Sequence, residues 1–172
     1  MTDYTVADAL GALKSILLTA SAAGQPALSA GYIMPDEFGV IPDTLPLPSI
    51  VVSELYNSPN DWQRKADGLA IHTWRAEVLL FAAQGPLTTL NADAAVAMLK
   101  ARNWARAFSD RLWVNQSLNG TALIIGEPTG GMRRLFRYAV GHVYLDVREH
   151  WGLRLELVIQ QKHTQPMSAQ ES

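Results

Sequence analysis

The stretch from Phe136 to Gln160 constrains the fold more than any other part of the chain. In Trp151-Gly152-Leu153-Arg154-Leu155-Glu156-Leu157-Val158-Ile159, alternation puts Leu153, Leu155, Leu157 and Ile159 on one face. Arg154, Glu156, Val158 and Gln160 fall on the other. Successive side chains of a strand point to opposite faces, so the pattern belongs to a sheet with one side against a core. The spacing predicts two long strands joined by a short polar turn. No reactive group is attached to this framework, so residue chemistry alone does not disclose a function.

Size and charge narrow the classes. A chain of 172 residues is long enough for one domain with a real core and short for two. Its 48% hydrophobic and 17% charged content is globular rather than disordered. The formal charge of −2 and pI near 6.1 argue against a protein built mainly to grip nucleic acid, which needs a basic surface. There is no cysteine, which excludes disulfides, thiolate nucleophiles and cysteine-based zinc sites. Met1-Thr2-Asp3-Tyr4 lacks the basic start of a signal peptide, and no apolar run approaches the ~20 residues that span a bilayer. The expectation is a soluble protein made and used inside a cell.

Along the chain, Thr5-Val6-Ala7-Asp8 resembles a capping box, and Val6, Leu10, Leu13, Leu17 and Ala20 recur at helical spacing, with Gly24 as the expected stop. A proline-rich loop at about 22–49 follows, holding Pro26, Pro35, Pro42, Pro46 and Pro48. Prolines this dense leave extended or turning backbone. Two readings stand open: a binding segment, or a surface loop pinned to the core by Ile33, Phe38 and Leu45. Ile50-Val51-Val52 begins a short strand, and Asn57 to Asp61 is a turn. From His72 to Ala82 alternation predicts a long half-buried strand, ended by Gln84-Gly85-Pro86. Asn91 caps a second helix whose stripe is Ala94, Met98, Ala101, Ala105, Phe108 and Leu112. Thr121 to Ile125 is a further strand, and Pro128-Thr129-Gly130-Gly131 breaks the chain before the final pair. The expected fold is α+β: a mainly antiparallel sheet of four to five strands with two helices packed on one face. It forms one domain over 1–163, with a flexible tail at 164–172.

Catalytic chemistry is thin. His72, His142, His150 and His163 make no recognisable metal motif. Gly126-Glu127-Pro128-Thr129-Gly130-Gly131 lacks the lysine of a phosphate-binding loop. Asp146, Glu149 and His150 cluster before Trp151, but they straddle a hairpin turn where polar residues are expected. Arg133, Arg134 and Arg137 form a local basic patch, read either as a solvated strand entrance or as contact with an acidic partner or passing nucleic acid. With Arg75, Glu77, Phe38 and Trp62 they are the candidates for partner or subunit contact. No catalytic, cofactor-binding or metal residue is assigned, and no cofactor is expected.

The order of pieces resembles the tail terminator (tail-completion) proteins of long-tailed bacteriophages. The resemblance runs over roughly residues 5 to 162. It rests on the N-terminal amphipathic helix, Leu45-Pro46-Leu47-Pro48-Ser49-Ile50-Val51-Val52, and the strand Ile71 to Leu80. A long helix with small residues follows, then Leu118-Asn119-Gly120-Thr121, Tyr138-Ala139-Val140-Gly141-His142-Val143-Tyr144 and the Leu-alternating last strand. It implies a non-enzymatic virion protein of the tail and neck, assembled in the host cytoplasm. It would form a ring of copies of itself, usually a hexamer, at the head-proximal end of the tail tube. That ring ends tube polymerisation and meets a head-completion or neck protein, and DNA passes through its lumen without specific binding. No membrane is involved. The alternatives are another neck or head-completion connector, and a small ligand-binding or hydrolytic α+β domain using His72, Asp146, Glu149 and His150.

Overall fold

The computed structural model describes residues 3–84 and 92–164; of helix residues 92–94 and 97 it describes the backbone alone. The expected Asn91 cap, the Gly85-Pro86 strand end and all but the first residue of the tail lie outside these bounds.

The chain opens with helix α1 (Val6–Leu18), where the Thr5 hydroxyl accepts from the Asp8 amide and the Asp8 carboxylate accepts from the Thr5 amide. This reciprocal pair satisfies orphan donors of the first turn. The helix ends at Thr19, whose hydroxyl donates to the Ile16 carbonyl, rather than at Gly24. Strands β1 (Ala30–Met34) and β2 (Ser49–Glu54) flank a loop with one short 3₁₀ turn, Phe38–Val40. Then come β3 (Asp61–Arg64), β4 (Ala70–Gln84), α2 (Ala92–Trp113), β5 (Ile124–Ile125), β6 (Glu127–Thr129), β7 (Met132–Arg134), β8 (Arg137–Leu145) and β9 (Arg148–His163).

The fold is α+β with two helices, but the expected sheet of four to five antiparallel strands is overturned. The main sheet has seven strands and is mixed, and β6 and β7 make a second, two-stranded sheet. Two physical causes account for the difference. The proline-rich segment contributes β1, which runs parallel to β2, with Ala30 opposite Ser49 and Met34 opposite Ser53. And β4 and β9, at 15 and 16 residues, are long enough for each outer edge to take two strands end to end. On β4, Ala70–Thr73 pairs with β3 and Ala76–Phe81 with β2. On β9, Arg148–Glu156 pairs with β8 and Ile159–Gln160 with β5.

Both helices pack on the same side. Leu10, Leu13 and Leu17 of α1 and Trp104, Ala105 and Phe108 of α2 join one buried cluster with Trp74, Ala76, Val78 and Leu80 of β4 and Leu153, Leu155 and Leu157 of β9. A smaller cluster lies on the other face at one end of the sheet, where Leu45 of the proline-rich segment packs with Val51, Phe81, Val143 and Leu145. Ile33 packs instead against the helix-side cluster, and Phe38 is exposed. The segment is thus a strand and a loop folded over the sheet, with its apolar 3₁₀ turn left outside.

Candidate functional site

The face of the sheet away from the helices is charged. Arg75 and Glu77 of β4 share it with Arg154 and Glu156 of β9 and Arg137 of β8, because Glu77 pairs with Glu156 and Glu156 with Arg137 across adjacent strands. Two carboxylates directly opposite repel. Arg154 resolves the conflict: its Nε lies 2.7 Å from Glu77 Oε2 and its Nη2 2.9 Å from Glu156 Oε1. Those contacts hold its guanidinium above the ordinary range, the Glu77 hydrogen bond contributing most.

The three-arginine cluster is divided by the β6–β7 hairpin. Arg134 Nη1 lies 3.3 Å and Arg137 Nε 3.8 Å from Glu127 Oε1, so these two share one acid. With Arg75 they line a narrow crevice against Glu156. Arg133 takes a different course: its Nη1 donates to the Ile125 and Gly126 carbonyls, each at 3.2 Å. Gly126 sits at φ 83°, and a Cβ there would come within 2.5 Å of the Arg134 carbonyl oxygen, so the hairpin needs glycine at that point.

Arg133 also helps line a groove of about 430 Å³ between α2 and the start of β8. The α2 wall carries Arg102, Arg106, Ser109 and Trp113 at i, i+4, i+7 and i+11, one face of a helix. Phe136 and Tyr138 close the other side. Among the described residues, no carboxylate lies within ion-pair distance of Arg102, Arg106 or Arg133. Trp113 and Tyr138 are 58% and 52% exposed, so the groove is cationic and aromatic at once. The i, i+4 spacing of Arg102 and Arg106 was visible in the sequence. Their meeting with Arg133 was not, since some thirty residues of chain separate them.

Trp62 lies on the β3 flank. Its ring stacks on His72 at 4.3 Å with an interplanar angle of 4°, and His163 stands 5.1 Å away. Asn60 Oδ1 is 2.8 Å from His72 Nε2. Compared with known proteins, the chain matches no family model and no curated protein. The residues of the hydrolytic alternative do not meet. His72 faces the helices, whereas His150 packs edge-on against Phe81 on the opposite face. They pair with Gln161 and Gln84, so twelve residues of β4 separate them, ~40 Å at a strand's rise. Glu149 is engaged by His142 and Tyr144, and Asp146 holds the hairpin turn at φ 58°.

The two buried histidines give a pH prediction. Burial holds His72 below the ordinary imidazole range, with the nearby His163 adding to it. Burial also lowers His150, opposed by the backbone at Arg148. Unfolding returns both to their usual value near 6.5, where the unfolded chain takes up protons the folded one refuses. Stability is therefore complete above about pH 6.5 and declines as pH falls through that value towards the lowered folded ones. The urea midpoint should drop between pH 7 and 5.5, and His150→Leu should flatten the drop. A slope identical in both proteins would remove His150 from the account.

Proposed function

We propose that this chain is a structural ring subunit that seats on the head-proximal end of a phage tail tube, ends its polymerisation and offers the surface for head–tail joining. The observation that carries the reading is that exposed large apolar side chains, which also occur elsewhere on the described surface, stand on both lateral flanks of the sheet. Phe38 and Val40, 53% and 69% exposed, stand beside β1 at one end of the strand order. Trp113 and Tyr138 line the groove between α2 and β8 at the other. Apolar groups clustered at a surface favour burial against a partner. Two unlike flanks on one chain suit a heterologous contact, in which one patch meets a different patch of the next copy; repeated by a closing rotation, it makes a ring. The order of elements resembling the tail terminators supplies the biological setting.

The test is a mass determination by light scattering of the purified chain, alone and mixed with the cognate tail-tube protein, with electron microscopy of the mixture. Rings, or tubes of limited length capped at one end, are expected. A chain that stays monomeric and leaves tube growth unchanged overturns the proposal.

A further inference from the structure

We infer that the arginine groove between α2 and β8 receives the acidic, apolar turn around Asp36–Val40 of a second copy of this chain. The inference rests on the ring reading and names its contact. Three observations carry it. The first is charge. From Ser15 to Gln63 the chain has no lysine, arginine or histidine, while it carries Asp36, Glu37, Asp43, Glu54 and Asp61. From Pro128 to Leu145 the reverse holds: Arg133, Arg134 and Arg137 occur with no acid. The groove adds Arg102 and Arg106, which no described acid neutralises. The acids of the turn, Asp36 and Glu37, therefore sit beside β1 at one end of the strand order, and the groove's arginines sit beside β8 at the other. Asp43 lies where the loop crosses to the β8–β9 hairpin, and its carbonyl accepts from Arg148.

The second observation is shape and polarity. The 3₁₀ turn Phe38–Val40 projects two exposed apolar side chains between Asp36 and Asp43. The groove offers Trp113, Phe136 and Tyr138 between its arginines. An aromatic ring beside guanidinium groups and apolar walls is the composition of interface anchors. The third is presentation. Glu37 fixes the turn, its carboxylate accepting from the Ile33 amide at 2.6 Å and from Lys14 Nζ at 3.3 Å. Asp36 is exposed, and the backbone is held before contact, which lowers the ordering cost of docking. Because the giving and receiving patches differ, each copy binds one neighbour with each flank.

The absence of cysteine makes the test clean. A tagged Val40→Cys variant is mixed with an untagged Ser109→Cys variant under mild oxidation, and the rate of mixed-dimer formation is read by mass. The reference is Val40→Cys mixed with Val147→Cys, whose cysteine lies at the 88% exposed tip of the β8–β9 hairpin. At least tenfold faster coupling to Ser109→Cys is expected, slowing in high salt as the charges are screened. Adding Arg102→Glu and Arg106→Glu to the Ser109→Cys partner should return the rate to the reference. Adding Asp36→Lys and Asp43→Lys to the Val40→Cys partner should then recover it. Circular dichroism of each variant confirms that it folds. Coupling no faster than the reference overturns the inference; if rings still form, the ring reading stands on some other contact. Selective coupling in a chain that never caps a tube upholds the inference while the terminator reading falls. Duplex DNA binding that is lost in the double arginine variant, with coupling at the reference rate, assigns the groove to nucleic acid and overturns the inference.

Discussion

Gly152→Ala is expected to abolish the native fold or leave it too unstable to purify. Gly152 lies in β9, opposite Phe81 of β4 on one side and Gly141 of β8 on the other. A Cβ built there would stand 1.7 Å from the Leu80 carbonyl oxygen and 3.1 Å from Val143 Cγ2. A backbone oxygen cannot swing aside as a side chain does. The close approach has a local cause: the β4–β9 register shifts between Phe81 and Ala83, and such a bulge bends the strand. Adding one methyl group requires β4 and β9 to separate at the centre of the sheet, and overpacking of a core costs about 1–3 kcal/mol or more. Here the obstacle is main chain on the longest strand pair, so the upper end or beyond is expected. Far-ultraviolet circular dichroism and urea denaturation check it. Gly141→Ala is the control: it lies on the neighbouring strand in the same row, and nothing comes within 4 Å of its built Cβ. If Gly152→Ala unfolds at the wild-type midpoint, the close approach is not a property of the folded protein.

The second large effect is expected at Trp74. Its side chain is fully buried on the helix side of β4, and its indole Nε1 donates to Gln161 Oε1 at 2.9 Å. Gln161, itself buried, donates from Nε2 to the carbonyls of Thr5 at 2.9 Å and Thr121 at 3.1 Å. One glutamine thus ties the start of α1, the turn before β5 and the central strand together. Trp74→Ala removes a large apolar group at a cost of about 3–5 kcal/mol, and strands the Gln161 oxygen at a further ~1–3 kcal/mol. A domain's whole stability is about 5–15 kcal/mol, so this variant should be barely folded. Trp74→Phe keeps the ring and loses the donor, and should cost about 1–3 kcal/mol, mainly from the unpaired acceptor. Gln161→Leu in the Trp74→Phe background should then cost less than in the wild type, since the acceptor is gone. Urea midpoints with unchanged slopes are the measurement. A loss under 1 kcal/mol for Trp74→Ala would show the cluster to be redundant.

Both effects bear on the proposed assembly. Gly152 and Trp74 hold β4 against β9, and those two strands carry β2 with β1 on one side and β8 on the other. The acidic turn and the arginine groove therefore keep their spacing only while this strand pair is intact. A loss of capping in either variant reports the sheet, whereas loss of capping in a folded Arg102→Glu/Arg106→Glu protein reports the contact.

What the residues determined by themselves is everything that depends on near neighbours along the chain. The capping box at Thr5 and Asp8 starts α1, and the alternation from Leu153 to Ile159 places β9's buried and charged faces where they are found. Both helices and the long strands β4 and β9 follow from periodicity, which is local. Strand pairing is not. That β1 lies within the proline-rich segment and joins β2 in parallel, and that β4 and β9 each take two strands on an outer edge, follow from contacts between distant residues. The candidate surface divides in the same way. Arg133, Arg134 and Arg137 are neighbours in sequence and share a basic label, yet the β6–β7 hairpin gives Arg134 and Arg137 to Glu127 and sends Arg133 to the groove. Arg102 and Arg106 reach Arg133 only because α2 packs on the sheet beside β8. Periodicity sets which face a side chain takes; packing alone decides which faces meet.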